Sequence, residues 1–396
     1  MIHLRSTIIT IILLVSIGVT KAGTLDQTAF KILTGSPEYK AELYSLESTL
    51  KSLSTESNLP DPELGGEYLV TPADVENRWT AEISWGIEWP GVYGARGKEA
   101  KSKMLASQYT MDAIRAERLA EIKDFLLDYV RCRQKIILLQ ELSQNNDTIY
   151  RLAEQAARGG EMTLLDLNKV KLEYANIRVA MASLLDEEAE VIGNLSRIYG
   201  SDCRQILNEM DNKFPEILLP SPAEISNIKD TAPAVKVARE QAQTARLGKK
   251  VAKMEALPSI SVGYKHQYED FMHLNGATLG LSLPLFSSRG KQKAADAQIL
   301  EADFNVEYTA LEIESEAMAT YRRLQMMVEQ IKEIAPIVEN VDYNDTLLKA
   351  YKGGVITLIE YISDRNYFTN AAIELVTLRH NAAKALAFLQ RYTSAF

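Results

Sequence analysis

Apolar residues recur every three or four positions over long stretches of this chain. Leu119, Ile122, Leu126, Tyr129, Ile136 and Leu139 form one such train. Leu324, Met327, Ile331, Ile334, Val338, Val341 and Leu348 form another, interrupted by Asp345. Two more run through Leu167, Val170, Tyr174, Ile177, Met181, Leu184, Val191, Leu195 and Ile198, and through Tyr361, Asp364, Phe368, Ala371, Leu375, Leu378, Ala385, Leu389 and Tyr392. Heptad-like spacing of this kind predicts long helices packed as coiled coils. From Arg96 to Arg158 the pattern is nearly unbroken, and at about 1.5 Å per residue it predicts a helix of roughly 90 Å. Pro336 lies inside the second long pattern and predicts a kink. Shorter helices are predicted from Ser36-Pro37 to Asn58 and from Ala232-Pro233 to Ala256, each with proline in its first turn and proline beyond its end.

Between the helical patterns the period changes from about 3.6 to 2. Trp79, Ala81, Ile83, Trp85, Ile87 and Trp89 alternate with Thr80, Glu82, Ser84, Gly86 and Glu88. Ile260, Val262, Tyr264, His266 and Tyr268 alternate with Ser259, Ser261, Gly263, Lys265 and Gln267, and Leu279, Leu281, Leu283 and Leu285 with Thr278, Gly280 and Ser282. Strands are therefore predicted over Leu64–Val70, Arg78–Trp89, Ser259–Tyr268 and Ala277–Phe286. Alternation requires a covered apolar face but does not name the cover. Two soluble hairpins packed on a helical body would satisfy it, and so would hairpins whose apolar face meets lipid. In the second case an open sheet edge cannot face hydrocarbon, so several chains must share one barrel, of about 8, 12 or 16 strands for a dimer, trimer or tetramer. Trp79, Trp85 and Trp89, with Tyr264 and Tyr268, would then form a lipid-facing aromatic girdle.

The patterns come in two copies. Arg158-Gly159-Gly160-Glu161-Met162-Thr163-Leu164-Leu165-Asp166 returns as Lys352-Gly353-Gly354-Val355-Ile356-Thr357-Leu358-Ile359-Glu360, at an offset of 354 − 160 = 194 residues. Trp89-Pro90-Gly91, followed by Arg96-Gly97-Lys98, returns as Leu283-Pro284-Leu285, followed by Arg289-Gly290-Lys291. Each Gly-Gly pair lets the chain leave one helix, and Thr163 and Thr357 are placed to cap the next, with an acid three residues on. Each copy thus predicts the turn of a long antiparallel helical hairpin. The organisation expected is a first repeat over 23–200, with strands about 64–89 and a tip about 158–163, a linker over 201–230 carrying Pro215, Pro220 and Pro222, and a second repeat over 231–396, with strands about 259–286 and a tip about 352–357.

Composition narrows the function classes. A net charge of −9 favours cationic over anionic partners and gives no basic surface for nucleic acid. Cys132 and Cys203 imply no disulfide framework, and the four histidines form no zinc-ligand pattern, so no metal site and no cofactor are expected. No paired carboxylates or nucleophile motif suggests catalysis, so an enzyme is not expected. His3 and Arg5, an apolar run from Ile8 to Val19 and a small residue at Ala22 predict a signal peptide over 1–22 and hence an exported protein.

The repeated order of helix, strand pair, long helix, Gly turn and helix, with the closing stretches Leu195-Ser196-Arg197-Ile198-Tyr199-Gly200 and Leu389-Gln390-Arg391-Tyr392-Thr393-Ser394, resembles the TolC-type outer-membrane efflux proteins. Ile87-Glu88-Trp89-Pro90-Gly91, then Ala95-Arg96, is similar to the CzcC/CusC-like heavy-metal branch. The resemblance implies a mainly α chain with a small membrane β part. Three copies would build a barrel of about 12 strands, continued by a helical tunnel across the periplasm of a Gram-negative cell. It implies outer-membrane lipid, a periplasmic adaptor and an inner-membrane pump as partners, and a passive duct for small molecules or metal cations as the function. It places adaptor contacts at Gly159, Gly160, Thr163, Gly353, Gly354 and Thr357, and a constriction or gate at Glu360, Asp364, Asp166, Tyr351 and Arg379. The chain departs from the family pattern at Ser363, where some members carry a second acid, and at Ile356, where a basic residue is expected. The rival reading is a structural coiled-coil protein of the envelope, which needs no lipid-facing strands.

Overall fold

The computed structural model describes residues 24–70, 72, 77–143, 146–269, 271–284, 286, 289–339 and 343–393; residues 1–22, expected to be a signal peptide, lie outside them. The elements are α1 (Thr24–Gly35), α2 (Pro37–Leu53), β1 (Glu63–Leu69), β2 (Arg78–Ile87), α3 (Pro90–Ser143), α4 (Asn146–Arg158), α5 (Leu164–Tyr199), α6 (Arg204–Asn208), α7 (Pro222–Thr231), α8 (Pro233–Met254), β3 (Ser259–Glu269), β4 (Met272–Ser282), α9 (Lys291–Glu339), α10 (Tyr343–Lys352) and α11 (Leu358–Gln390). The fold is mainly α with one four-stranded antiparallel sheet, and the chain divides into two compact units.

The first unit holds residues up to 40, 115–226 and from 316. Its core joins Ile32 and Leu33 of α1, Ile122, Leu126 and Leu127 of α3, Leu195 of α5, Leu207 of α6 and Ala383 of α11. The α3 train is buried as its spacing predicts. Farther along, Leu139 and Leu142 of α3 meet Ile177 of α5, with Ile373 of α11 packed against them. The α9 stripe differs from expectation. Leu324, Val328 and Ala335 are buried, whereas the expected Ile334 is 37% exposed. The i+7 step from Val328 to Ala335 sets that face, and hydropathy alone selects the larger isoleucine. The helix continues through Pro336 to Glu339. The long pattern from Arg96 to Arg158 is carried by α3 and α4, separated by residues 144–145, which lie outside the described ones.

A short helix precedes each of the two proline-opened helices, and in the second half it falls almost wholly in the expected linker. α1 precedes Pro37 as α7 precedes Pro233, and Ala29 and Ile32 occupy the places of Ile225 and Ile228, all buried. The end of the expected linker is therefore a repeated element. Both cysteines are buried and free, and burial pushes the Cys132 thiol up to about 12.

The second unit holds residues 41–114 and 227–315. Its sheet runs in the order β1-β2-β3-β4, so β2 and β3 join the two repeats directly. Register decides what the sheet presents. Trp79 lies opposite Tyr268, Trp85 opposite Val262, Val262 opposite Leu279 and Ile83 opposite Leu64. Directly opposed residues share a face. All the alternating apolar sets therefore fall on one face, with Glu67, Thr80, Glu82, Ser84, Lys265, Gln267 and Thr278 on the other. Leu64, Tyr68, Ile83, Val262, Tyr264, Leu279 and Leu281 of that apolar face are exposed. β4 begins at Met272 rather than Ala277, because Met272 to Gly276 pair with Lys265 to Glu269 and only residues 270 and 271 separate the strands. Phe271 turns the chain at φ 62°. β2 ends at Ile87, so Trp89 falls outside the strand that alternation gave it, just before Pro90 opens α3.

At the strand ends that lead into helices, Arg96 Nη1 lies 2.7 Å from Glu88 and Nη2 2.7 Å from Glu255. Lys291 reaches Glu255 at 3.6 Å. Burial alone would raise the Glu255 carboxyl, but Arg96 and Lys291 outweigh it and hold it below its ordinary range.

Candidate functional site: the paired hairpin tips

The two Gly-Gly turns fold alike. Gly160 N–H donates to Ala157 O at 3.3 Å and Glu161 N–H to Ala156 O at 2.9 Å. Gly354 N–H donates to Tyr351 O at 3.0 Å and Val355 N–H to Ala350 O at 2.9 Å. These are the two bonds of a Schellman stop, which needs a left-handed residue between them. Gly160 and Gly354 supply it at φ 79° and 71°.

The next helices start on the predicted caps, with one difference. Thr357 accepts from Glu360 N–H at 3.3 Å, and Glu360 Oε2 accepts from Thr357 N–H at 2.8 Å, which completes a capping box. Thr163 accepts from Asp166 N–H at 3.1 Å, but Asp166 takes the Thr163 hydroxyl at 2.7 Å instead of its backbone N–H. Aspartate is one methylene shorter than glutamate. Its second oxygen pairs with Lys169 at 3.0 Å, a position filled by Ser363 in the other copy. Hydrogen bonds from Thr357 hold Glu360 below its ordinary carboxylate range, and bonds from Thr163 and Lys169 do the same for Asp166.

Beneath the turns the two hairpins share one apolar cluster. Ile149, Ala153, Leu167 and Val170 pack with Leu358, Tyr361 and Ile362, and Tyr351 and Ile356 lie against them. Tyr351 stacks on Tyr361 with ring centroids 5.6 Å apart. Ile356, where the family pattern expects a base, thus replaces a charge with apolar packing. Glu360 and Asp364 are both exposed, one helical turn apart on α11. Arg379 is not brought to the tip. It lies 379 − 360 = 19 residues, or about 28 Å, farther along α11, and donates to Glu339 at 3.0 Å.

Sequence reasoning passed over Arg365. It is 5% exposed, donates to Leu142 O at 3.1 Å and lies 5.7 Å from the Tyr361 ring. Burial lowers its affinity for the proton. The available signal was the repeat itself: Arg365 occupies the place of Lys171, which is exposed.

The residues expected to form a girdle occupy different levels of the sheet. Trp79 stacks with Tyr268 at 6.3 Å near the β3–β4 turn. Trp85 donates to Pro60 O at 2.8 Å near the helical end. Tyr264, opposite Ile83 and Ala277, lies midway and donates to Asn275 Oδ1 at 2.7 Å. Among the described residues, no helix is long and apolar enough to cross a membrane.

No protein-family model matches the sequence, and no curated protein matches it. By structure the chain is similar to the Campylobacter jejuni CmeC outer membrane channel, with a TM-score of 0.76 and 16% identity over 94% of this chain and 86% of that chain. It is similar to the Vibrio cholerae outer membrane protein VceC, with a TM-score of 0.73 and 16% identity over 93% of this chain and 95% of that chain. The open-state Neisseria gonorrhoeae MtrE outer membrane channel gives a TM-score of 0.74 and 11% identity over 93% of this chain and 88% of that chain. With its two repeated hairpins, its Schellman tips and its four-stranded sheet, this chain has the fold of the TolC-type outer-membrane channels.

Proposed function

We propose that the protein is the outer-membrane channel of a tripartite efflux pump, a homotrimer that forms a passive gated duct from the periplasm to the outside for small molecules or metal cations. The observation that carries this reading is the exposed apolar face of the sheet together with its two open edges, β1 and β4. Open edges are intolerable in hydrocarbon, so copies must pair edge to edge, and three give a barrel of about 12 strands. Trp79 and Trp85 are six residues apart, about 20 Å along a strand, a spacing suited to two interfacial levels of one bilayer.

The repeat supplies the rest of the ring. On α11, Ile359 and Ile373 are partly buried against the first hairpin of the same chain. Their counterparts on α5, Leu165 and Val179, are 68% and 69% exposed, as is Leu172 at 62%. A second copy offers α5 the surface that the first hairpin offers α11. In this assembly the two tips meet the adaptor, and Glu360 from each copy lines the narrow end of the duct. Energy for export comes from the inner-membrane pump.

Conductance across a planar bilayer, with oligomer size checked before and after boiling, tests the proposal. Discrete cation-selective steps from a three-chain species are expected, and Glu360→Gln lowers the selectivity. A water-soluble protein without channel activity would return the coiled-coil scaffold to first place. Steps whose selectivity survives Glu360→Gln would remove that residue from the constriction.

A further inference from the structure

Cross-strand pairing brings together two histidines that are seven residues apart in sequence. His266 on β3 lies opposite Asn275 on β4, and His273 lies opposite Tyr268, so both imidazoles occupy the apolar face near the β3–β4 turn. His273 Nδ1 is 3.2 Å from His266 Nε2. Asn275 Oδ1 is 2.6 Å from His266 Nδ1. A carboxamide oxygen can only accept, so His266 carries its proton on Nδ1. That leaves the Nε2 lone pair directed at His273. Aromatic rings fix both imidazoles: Trp79 lies 5.0 Å from His266, and Tyr268 5.0 Å from His273.

We propose that His266 Nε2 and His273 Nδ1 form a surface binding site for a borderline divalent transition cation such as Zn²⁺ or Cu²⁺. Zinc–imidazole bonds of about 2.0–2.1 Å place two ligand nitrogens about 3.3 Å apart in a tetrahedral site, and about 2.9 Å apart at a right angle. The spacing of 3.2 Å lies between these values, so both nitrogens can reach one ion with little movement. His273 needs only to carry its proton on Nε2 rather than Nδ1. Asn275 plays the orienting part that an outer carboxylate or carbonyl plays for metal-bound histidines, fixing tautomer and ring plane. Water fills the remaining positions. Neutral imidazole selects zinc, copper or nickel over magnesium or calcium. The site lies at the β3–β4 turn end of the sheet, and it does not depend on channel activity.

The test is Zn²⁺ titration by calorimetry of the full chain in detergent, prepared without a polyhistidine tag. One ion per chain is expected, with affinity at least tenfold weaker in His266→Ala and in His273→Ala. Asn275→Ala weakens it by about tenfold, the lower end for loss of an orienting partner. In the unmutated protein, Zn²⁺ slows diethylpyrocarbonate modification of His266 and His273, read by peptide mass. Wild-type affinity in either histidine variant overturns the proposal, and so does unprotected modification at saturating Zn²⁺.

Discussion

Leu172 and Asn366 occupy the same place in the two halves of the chain, yet their surroundings differ. Leu172 is 62% exposed on α5, while Asn366 borders a small crevice with Ile149, Val170 and Arg365. Repetition gave both halves the same hairpin, but a single chain can cover only one side of each. The half with the larger apolar residue is the half left open, which is the arrangement expected of a surface meant for another copy. Leu172→Glu is therefore the most damaging change proposed. It should eliminate the proposed oligomer, read by size before and after boiling, while unfolding of the isolated chain shifts by no more than about 0.5 kcal/mol, as at ordinary surface sites. Retention of a full oligomer in that variant would break the comparison.

The tips invite finer contrasts. Gly160→Ala and Gly354→Ala each force a side chain into the left-handed region, at roughly 1–2 kcal/mol, readable as faster amide exchange at residues 161 and 355. Gly159→Ala should stay below about 0.5 kcal/mol, because a Cβ there meets only ordinary contacts, 3.5 Å from Gln155 O. Exchanging the acids sharpens the difference between the caps. Asp166→Glu should extend the reach of the side chain to the Thr163 N–H and protect it, and Glu360→Asp should expose the Thr357 N–H.

The smallest effect is in pH. Both carboxyls titrate below their ordinary range in the folded tips, so each holds its helix start more firmly when ionised. Their contribution is complete above the ordinary carboxylate range and is lost as pH falls through the lower folded values. Amide protection at both tips should be flat near neutrality and drop only in that acid window. A loss on raising pH instead would reverse the assignment.

Much of this architecture was legible in the sequence because it rests on local rules. Period two marked three of the four strands, period 3.6 marked the helices, and Gly-Gly followed by Thr and an acid marked both turns with their caps. What was not legible depends on register. Alternation could not say that β2 pairs with β3, nor that Met272 to Gly276 continue β4, since those residues become a strand only against Lys265 to Glu269. The His266–His273 pair was invisible for the same reason. Helix phase caused the other misses: Ile334 outranks Ala335 in hydropathy but not in position. Arg365 was hidden because a charge in a buried helical stripe contradicts the pattern used to find the stripe.

Glu255 has a consequence for ancestry. Its carboxylate is shared by Arg96 from the first half and Lys291 from the second, at 2.7 Å and 3.6 Å. Counted back from the matching pairs Leu257-Pro258 and Leu59-Pro60, its place in the first half is held by Ser57, which carries no charge. The duplicated halves are thus no longer interchangeable parts. A chimaera joined between 201 and 230 would inherit Arg96 from one parent and both Glu255 and Lys291 from the other. Joined halves that disagree on this arrangement would lose the Arg96–Glu255 contact while Arg96 keeps Glu88, a cost of about 0–1 kcal/mol for a partly exposed pair.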